Sequence, residues 1–410
     1  MAIRIEKNDV ATMIEWLASN GKTSSGGVTR LLYSPAWMDA QKALKKKMES
    51  IGLQASFDHV GNLFGKLQGT DLTSKTILTG SHVDTVVDGG KYDGSYGIIA
   101  SLLAVERLKK QFGKPKKTIE VVSLCEEEGS RFPLTFWGSR NIQGSYSLDD
   151  VIDLKDSEGV SFLEAMTNAG FDSHSYSPPI RTDLERFIEV HIEQGMVLEN
   201  NQKSIGIVTH IVGQRRFMIM LLGESNHVGT TPMAYRKDPM TLASDFICYL
   251  TKKAQEVDPT LVASIGKIIA KPNVPNVIIG ELEMSLDVRH HDESTLSAFC
   301  DMIFAYLNTI AKQSAFTVNV TPWTNVKPVE MCQEMNATIE EIVKNKNIPY
   351  QSIVSGAGHD SQVFGSICPT SLIFVPSKKG ISHSPQEQTD VEDLERGIDV
   401  LTEILYQLAY

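Results

Sequence analysis

Three carboxylates stand side by side in this sequence: Glu126, Glu127 and Glu128, between the apolar run 118–124 and Gly129. Adjacent like charges repel, and a helix cap would use only one of them. A solvated strand end is the plain reading. A pair of divalent cations is the chemical one, because their charge removes the repulsion between neighbouring glutamates. One glutamate can then bind metal while a neighbour stays free as general base for an attacking water. Spacing alone leaves open which glutamate does which.

Four further stretches place ligating residue types where strands end. GSHVDT (80–85) sets His82 and Asp84 two apart, on one face of an extended segment, where the carboxylate can orient the imidazole. GGKYDG (89–94) gives Asp93 a glycine-flanked bend that can return it toward His82. In FIEVHIE (187–193), His191 lies on the polar strand face with Glu189 and Glu193, and GISHSP (380–385) is a loop carrying His383. Singly, each has a bland reading, since a lone histidine is most often a packed or exposed residue and an aspartate between glycines a turn residue. Together they supply the carboxylates and imidazoles of a dinuclear metal site.

These residues need a scaffold. From about 75 to 210 the chain alternates strand and helix patterns, with strands at 76–79, 118–125 and 187–193. The repeat of Ile98, Ile99, Leu102, Leu103 and Leu108 predicts a helix over 95–112, ended by Gly113 and Pro115. Residues 370–375 form another buried-type strand. This order predicts an α/β domain: a mixed, mostly parallel sheet covered by helices. Residues 214–325 read as strand 216–222, helix 239–257, strands 261–270 and 277–289, helix 293–312 and strand 316–322. That is the β-α-β-β-α-β order of a ferredoxin-like α+β unit. The expected organisation is a catalytic domain in two parts, 1–213 and 326–410, interrupted by an inserted domain, 214–325.

The bulk numbers exclude some functions. A chain of 410 residues exceeds one ordinary core, and 41% hydrophobic with 22% charged residues describes a soluble globular protein. A net charge of −11 argues against nucleic-acid partners. Arg4, Glu6, Lys7 and Asp9 break up the first twenty residues, so a signal peptide is not expected, and the apolar stretch 98–105 is too short to span a membrane. Five scattered cysteines without a CxxC predict free thiols in a reducing compartment, hence a cytoplasmic protein.

Eight motifs in chain order resemble the amidase/hydantoinase/carbamoylase branch of the dinuclear M20 metallopeptidase-like family. They are GSHVDTV, GGKYDG, EEEGSRF, FIEVHIEQG, GESNHVGTTPM, DVRHHD, SGAGHD and GISHSP, and they cover nearly the whole chain. The resemblance implies two divalent metal ions per subunit, Zn or Mn, with Co or Ni also suited to such ligands. His82 and His191 would bind one metal, Glu128 and His383 the other, and Asp93 would bridge them. Alignment on Gly129 makes Glu127 the base and Glu128 the ligand; alignment one residue earlier leaves the role of Glu126 open. Asp84 would orient His82.

The inserted domain resembles the family's lid and dimerisation domain, which implies a homodimer. His227 would reach the neighbouring subunit's site and stabilise an oxyanion. Gln214, Asn276 and Arg289 would hold substrate, Arg289 by its carboxylate, and Gly358 would contribute a backbone contact. Where the family reads NVVPG, this chain has NVIIG (276–280), so the turn after Asn276 lacks its proline. The implied reaction is hydrolysis of a ureido group on a small carboxylate. The runner-up is N-carbamoyl-L-amino-acid hydrolase or β-ureidopropionase, which would share these catalytic residues; a dipeptide-cleaving M20 enzyme is a further rival, disfavoured by His191 where many such peptidases carry aspartate.

Overall fold

Residues 9–410 are described by the structure, a computed structural model. Arg4, Glu6 and Lys7, and the first eight positions of the expected 1–213 segment, lie outside the described residues. The chain divides into two units: residues up to Thr209 together with Met331–Tyr410, and His210–Glu330.

In chain order the first strands are β1 (Gln54–Phe57), β2 (Leu63–Leu67), β3 (Thr76–His82), β4 (Ile119–Leu124), β5 (Leu184–Ile192) and β6 (Ile205–Ile211). Then come β7 (Gly213–Leu222), β8 (Val262–Lys271), β9 (Glu281–His290), β10 (Thr317–Val326) and β11 (Val329–Glu330). β12 (Tyr350–Ser355) and β13 (Thr370–Val375) complete the set. The larger sheet runs β1-β2-β4-β3-β5-β13-β6-β11, with β12 paired to β6.

Its centre, β4-β3-β5-β13, is parallel throughout. Parallel neighbours need a crossover, and the helix Ser95–Phe112 supplies the one between β3 and β4. That helix has the bounds the periodicity predicts, and Ile98, Ile99, Leu102, Val105 and Leu108 are buried along it. Against it packs the C-terminal helix Val391–Ala409, tied by the Tyr96 hydroxyl donating to the Leu394 carbonyl at 2.8 Å. With helices on the sheet, β3, β4 and β13 are buried at every position, as central parallel strands are.

On β5 the alternation in sequence misleads. Glu189 and His191 were expected on a polar face, yet both are buried. Glu189 accepts hydrogen bonds from Ser81 Oγ (2.7 Å), Ser361 Oγ (2.6 Å) and the Ser361 backbone N–H (3.0 Å), which satisfy it without solvent.

The second unit is an antiparallel sheet, β10-β7-β9-β8, with the helices Pro239–Val257 and Glu293–Gln313 packed on it. Asp238 and Asp292 cap the two helices. Alternate residues of β9, namely Leu282, Met284, Leu286 and Val288, join Phe246 and Phe299 in its core. Sequence periodicity extends this strand back to 277, but residues 277–280 are irregular apart from the bridge of Val277 to His227, and β9 begins at Glu281. Among the described residues no helix is long and apolar enough to cross a membrane, and the five cysteines are unpaired.

Candidate metal centre

Because β3, β4, β5 and β13 run parallel, their C-terminal ends open on one edge, where α/β sheets gather functional loops. His82 ends β3, Glu126–Glu128 follow β4, His191 lies one residue before the end of β5, and the loop after β13 carries His383. The turn after β3 brings Asp93 among them, with Gly94 at φ 60°. A side chain at residue 94 would collide with the His82 ring, so glycine is needed there for both conformation and space.

The two oxygens of Asp93 face two different sets of donors. Oδ1 lies 3.4 Å from His82 Nε2 and 3.2 Å from His191 Nε2. Oδ2 lies 3.3 Å from His383 Nε2, and that same nitrogen lies 3.4 Å from Glu128 Oε2. Two groups of possible metal ligands result, His82–Asp93–His191 and Asp93–Glu128–His383, sharing one carboxylate. His82, Glu127 and Glu128 also lie within reach of a common ion. Ring nitrogens and carboxylate oxygens converging in two sets on a common aspartate fit a pair of divalent cations.

The other ring nitrogens of His82 and His191 are fixed from behind. His82 Nδ1 lies 3.1 Å from the Asp84 carbonyl and 3.3 Å from its carboxylate, and His191 Nδ1 lies 2.8 Å from the Ile192 carbonyl. Such contacts hold a metal-binding ring in one orientation. Asp84 does more than its spacing from His82 indicates. Its two oxygens accept the backbone N–H groups of Glu127 and Glu128, each at 3.0 Å, so it sets the acidic turn as well. Glu126 belongs to none of the ligand groups; it is buried and accepts the Gly129 N–H, closing the turn.

Sequence reasoning missed the residues around Asp93. Gln194 Nε2 donates to Asp93 Oδ2 at 2.7 Å and Ser382 Oγ does so at 3.0 Å. Glu387 accepts the N–H groups of Tyr92 and Asp93. The only local signal was an acid four residues after His383. His359 and Asp360, of the SGAGHD motif, are fully enclosed, and His359 packs edge-on against His191 with ring centroids 4.5 Å apart.

The electrostatics show strain that a cation would relieve. Burial and the other carboxylates push Glu126 and Glu127 well above the ordinary range, and burial with the nearby Asp93 charge raises Glu128 to about 7. Burial would raise Asp93 too, but hydrogen bonds from His191, His383 and His82 outweigh it and hold Asp93 well below its usual value. The Asp93 contact, joined by the charge of Glu128, lifts His383 to about 9 against its partial burial. Divalent charge between these groups would favour the charged forms of Glu127 and Glu128, which their present surroundings disfavour.

Four of the substrate-binding candidates lie in the second unit. Gln214 and Arg289 are register partners on β7 and β9. Both donate to Asp287: Gln214 Nε2 at 2.8 Å, Arg289 Nε at 3.1 Å. His227 and Asn276 are exposed on neighbouring turns, joined by a bridge from His227 to Val277. The turn after Asn276 is held without proline, by Ile278 N–H to the Asn226 carbonyl (2.8 Å) and Gly280 N–H to Lys271 (2.9 Å). His227 Nδ1 accepts the N–H groups of Gly229 (3.0 Å) and Thr230 (3.2 Å), which leaves the ring proton on Nε2. Gly358, in the first unit, is an exposed backbone position preceding buried His359.

Peptidase family M20/M25/M40 matches residues 78–407. The allantoate amidohydrolase of Bacillus subtilis (strain 168) is 46% identical over 404 residues, 98% of each chain. That of Escherichia coli (strain K12) is 44% identical over 397 residues, 97% of each. Among solved structures, an amidase of the hydantoinase/carbamoylase family from Burkholderia multivorans superposes with a TM-score of 0.94 at 30% identity, covering 99% of this chain and 98% of its own.

Proposed function

Since the chain belongs to peptidase family M20/M25/M40, in its hydantoinase/carbamoylase branch, we propose that it hydrolyses the ureido C–N bond of allantoate, giving ureidoglycine, ammonia and carbon dioxide. The observation that carries the metal-dependent reading is the two-faced carboxylate of Asp93, with two imidazoles on one oxygen and a glutamate–imidazole pair by the other. The choice of allantoate rests on relatives 44–46% identical over essentially the full length.

His82, His191 and Asp93 would hold one ion, and Asp93, Glu128 and His383 the other. Zinc or manganese suits these donors, and cobalt or nickel is compatible. When bound, the ions supply polarisation of the ureido carbonyl and acidification of the attacking water.

The chain's own residues do the rest. Glu127, half-buried beside the ligand groups, takes the proton from the attacking water and returns it to the departing nitrogen. Burial and neighbouring carboxylates raise its proton affinity, which suits a group that must carry a proton and then release it. His227, with its proton on Nε2, donates to the developing oxyanion, contributed by the second subunit of a homodimer formed through the inserted unit. Arg289 grips the substrate carboxylate, while Gln214, Asn276 and the Gly358 backbone orient the ureido chain.

Ammonia release from allantoate, N-carbamoyl-L-amino acids and N-carbamoyl-β-alanine, measured on metal-loaded enzyme, tests this reading. The highest kcat/KM is expected on allantoate. A higher value on a carbamoyl amino acid would assign the chain to N-carbamoyl-L-amino-acid hydrolase or β-ureidopropionase chemistry, and no release from any of them would sink the proposal.

A further inference from the structure

The contacts around Asp93 raise a question of assembly. Asp93 and His383 are 290 positions apart, and both lie on irregular loops. His383 is the exposed ligand candidate, 48% accessible, and its backbone is left-handed at φ 53°. Gln194, also bonded to Asp93, is left-handed at φ 57°. Residues with side chains avoid this conformation unless their surroundings impose it.

Glu387 is where the imposing contacts meet. It is 4% exposed and uses both oxygens. Oε1 accepts the N–H groups of Tyr92 (2.8 Å) and Asp93 (3.1 Å), fixing the turn that presents Asp93. Oε2 lies 2.8 Å from Ser382 Oγ, and that hydroxyl lies 3.0 Å from Asp93 Oδ2, next in sequence to His383. The Glu387 N–H donates to the Ser384 carbonyl at 3.0 Å, so the loop closes around His383 on both sides. A side chain at residue 90 would overlap the Glu387 carboxylate, so Gly90 leaves the space it occupies. His82 and His191 need no such tie, because β3 and β5 place them.

We propose that Glu387 is a positioning residue that locks the Asp93 turn to the His383 loop, so that the Asp93–Glu128–His383 metal position depends on it far more than the His82–Asp93–His191 position, whose imidazoles β3 and β5 place. This rests on the dinuclear reading above. Glu387 binds no ion itself. It acts by accepting two backbone N–H groups and holding one hydroxyl, a role that an amide side chain can fill. Its carbonyl oxygen would take the two N–H groups, and its NH2 would donate to Ser382 Oγ, whose one proton, within reach of both the Glu387 and Asp93 carboxylates in the wild type, would then go to Asp93.

Metal retention by the full chain, loaded with zinc and challenged with a chelator, tests this. Wild type should hold two ions. Glu387→Ala should hold one with little loss of affinity and bind the second about 10- to 100-fold more weakly, the usual cost of losing a residue that supports ligands. Glu387→Gln should restore the second ion, and in a His383→Ala background Glu387→Ala should change little further. Should Glu387→Ala fail to fold, Ser382→Ala cuts the same tie without emptying the buried pocket and should selectively weaken the same ion. Equal weakening of both ions, no weakening of either, or a Glu387→Gln protein as defective as the alanine variant would each overturn the proposal. A wild-type protein that never holds two ions would instead overturn the dinuclear reading beneath it.

Discussion

The two halves of the centre are built differently. His82 and His191 come from strands buried on both faces, and their side chains are 2% and 1% exposed. Glu128 and His383 come from loops, and His383 is 48% exposed. The strand half inherits its geometry from the hydrogen-bonded sheet, where β5 is paired on both sides. The loop half must be held by side chains gathered from distant segments: Asp84 under Glu128, and Gln194, Ser382 and Glu387 around Asp93. Position in a sheet is shared by many contacts, so losing one costs little, whereas a loop held by three or four polar contacts is sensitive to each. The loop half is therefore the part of the centre expected to fail first when a single contact is removed.

Ligand removal is the largest perturbation and puts the comparison at most risk. His191→Ala takes one of two imidazoles from the strand half and should abolish both metal retention at that position and turnover. His383→Ala should abolish turnover too, yet leave one ion bound, because His82, Asp93 and His191 remain intact. Metal analysis after dialysis decides the matter. If His383→Ala emptied both positions, the halves would be one cooperative unit and the distinction would fall.

The acidic turn joins the halves, and it predicts a smaller effect. Glu127→Gln should retain both ions and lose about 10²- to 10⁴-fold in kcat, the usual span of a general base. Glu126→Gln should instead leave both metal content and kcat nearly intact, since Glu126 belongs to none of the ligand groups and an amide oxygen can still accept the Gly129 N–H. Titrating metal and measuring kcat on both variants separates the two. Loss of turnover in Glu126→Gln with Glu127→Gln losing metal would move every assignment in the turn by one residue.

The strand half is also the half that could be read without a structure. A motif at the end of an apolar run carries its own placement, because parallel strands deliver their C-terminal ends to one edge; hence His82, Asp84, Asp93 and His191 could be grouped from sequence. His383 could be singled out by its motif, but nothing local says what holds it. Glu387 reaches Asp93 across 294 positions, and no periodicity encodes such a contact. Alternation failed on β5 because helices cover both faces of the sheet, and polar residues such as Glu189 are satisfied by Ser81 and Ser361 rather than by water. The helices Ser95–Phe112 and Pro239–Val257 kept their expected bounds because glycine, proline and a capping aspartate punctuate them. The irregular segment 277–280 was overrun because a run of apolar residues looks the same in a strand and in an irregular connection.

The smallest expected effect is a pH dependence confined to the loop half. In the metal-free protein Glu128 sits at about 7, above its ordinary 4.5, so the folded state binds its proton more tightly than the unfolded chain does. Stability from that group is present at low pH and is lost as pH rises through about 7. His383, raised from 6.5 to about 9, works in the same direction: its contribution is full below about 6.5 and gone above about 9. Metal-free protein should therefore weaken as pH climbs across this window. The loaded protein behaves oppositely, because an ion competes with protons for Glu128 and His383 and binds more tightly as they are removed. The gap in Tm between loaded and chelator-treated protein should widen steadily from about pH 5 to about pH 9, at about 1 °C for each kcal/mol of linked stability in a chain of this length. In His383→Ala the widening should shrink, since one of the two titrating ligands is gone while the strand half still holds its ion. Paired melting curves at matched metal concentration measure it. A gap that stays constant, or that widens as much in His383→Ala as in wild type, would place the titrating groups outside the loop half and remove the electrostatic difference between the two.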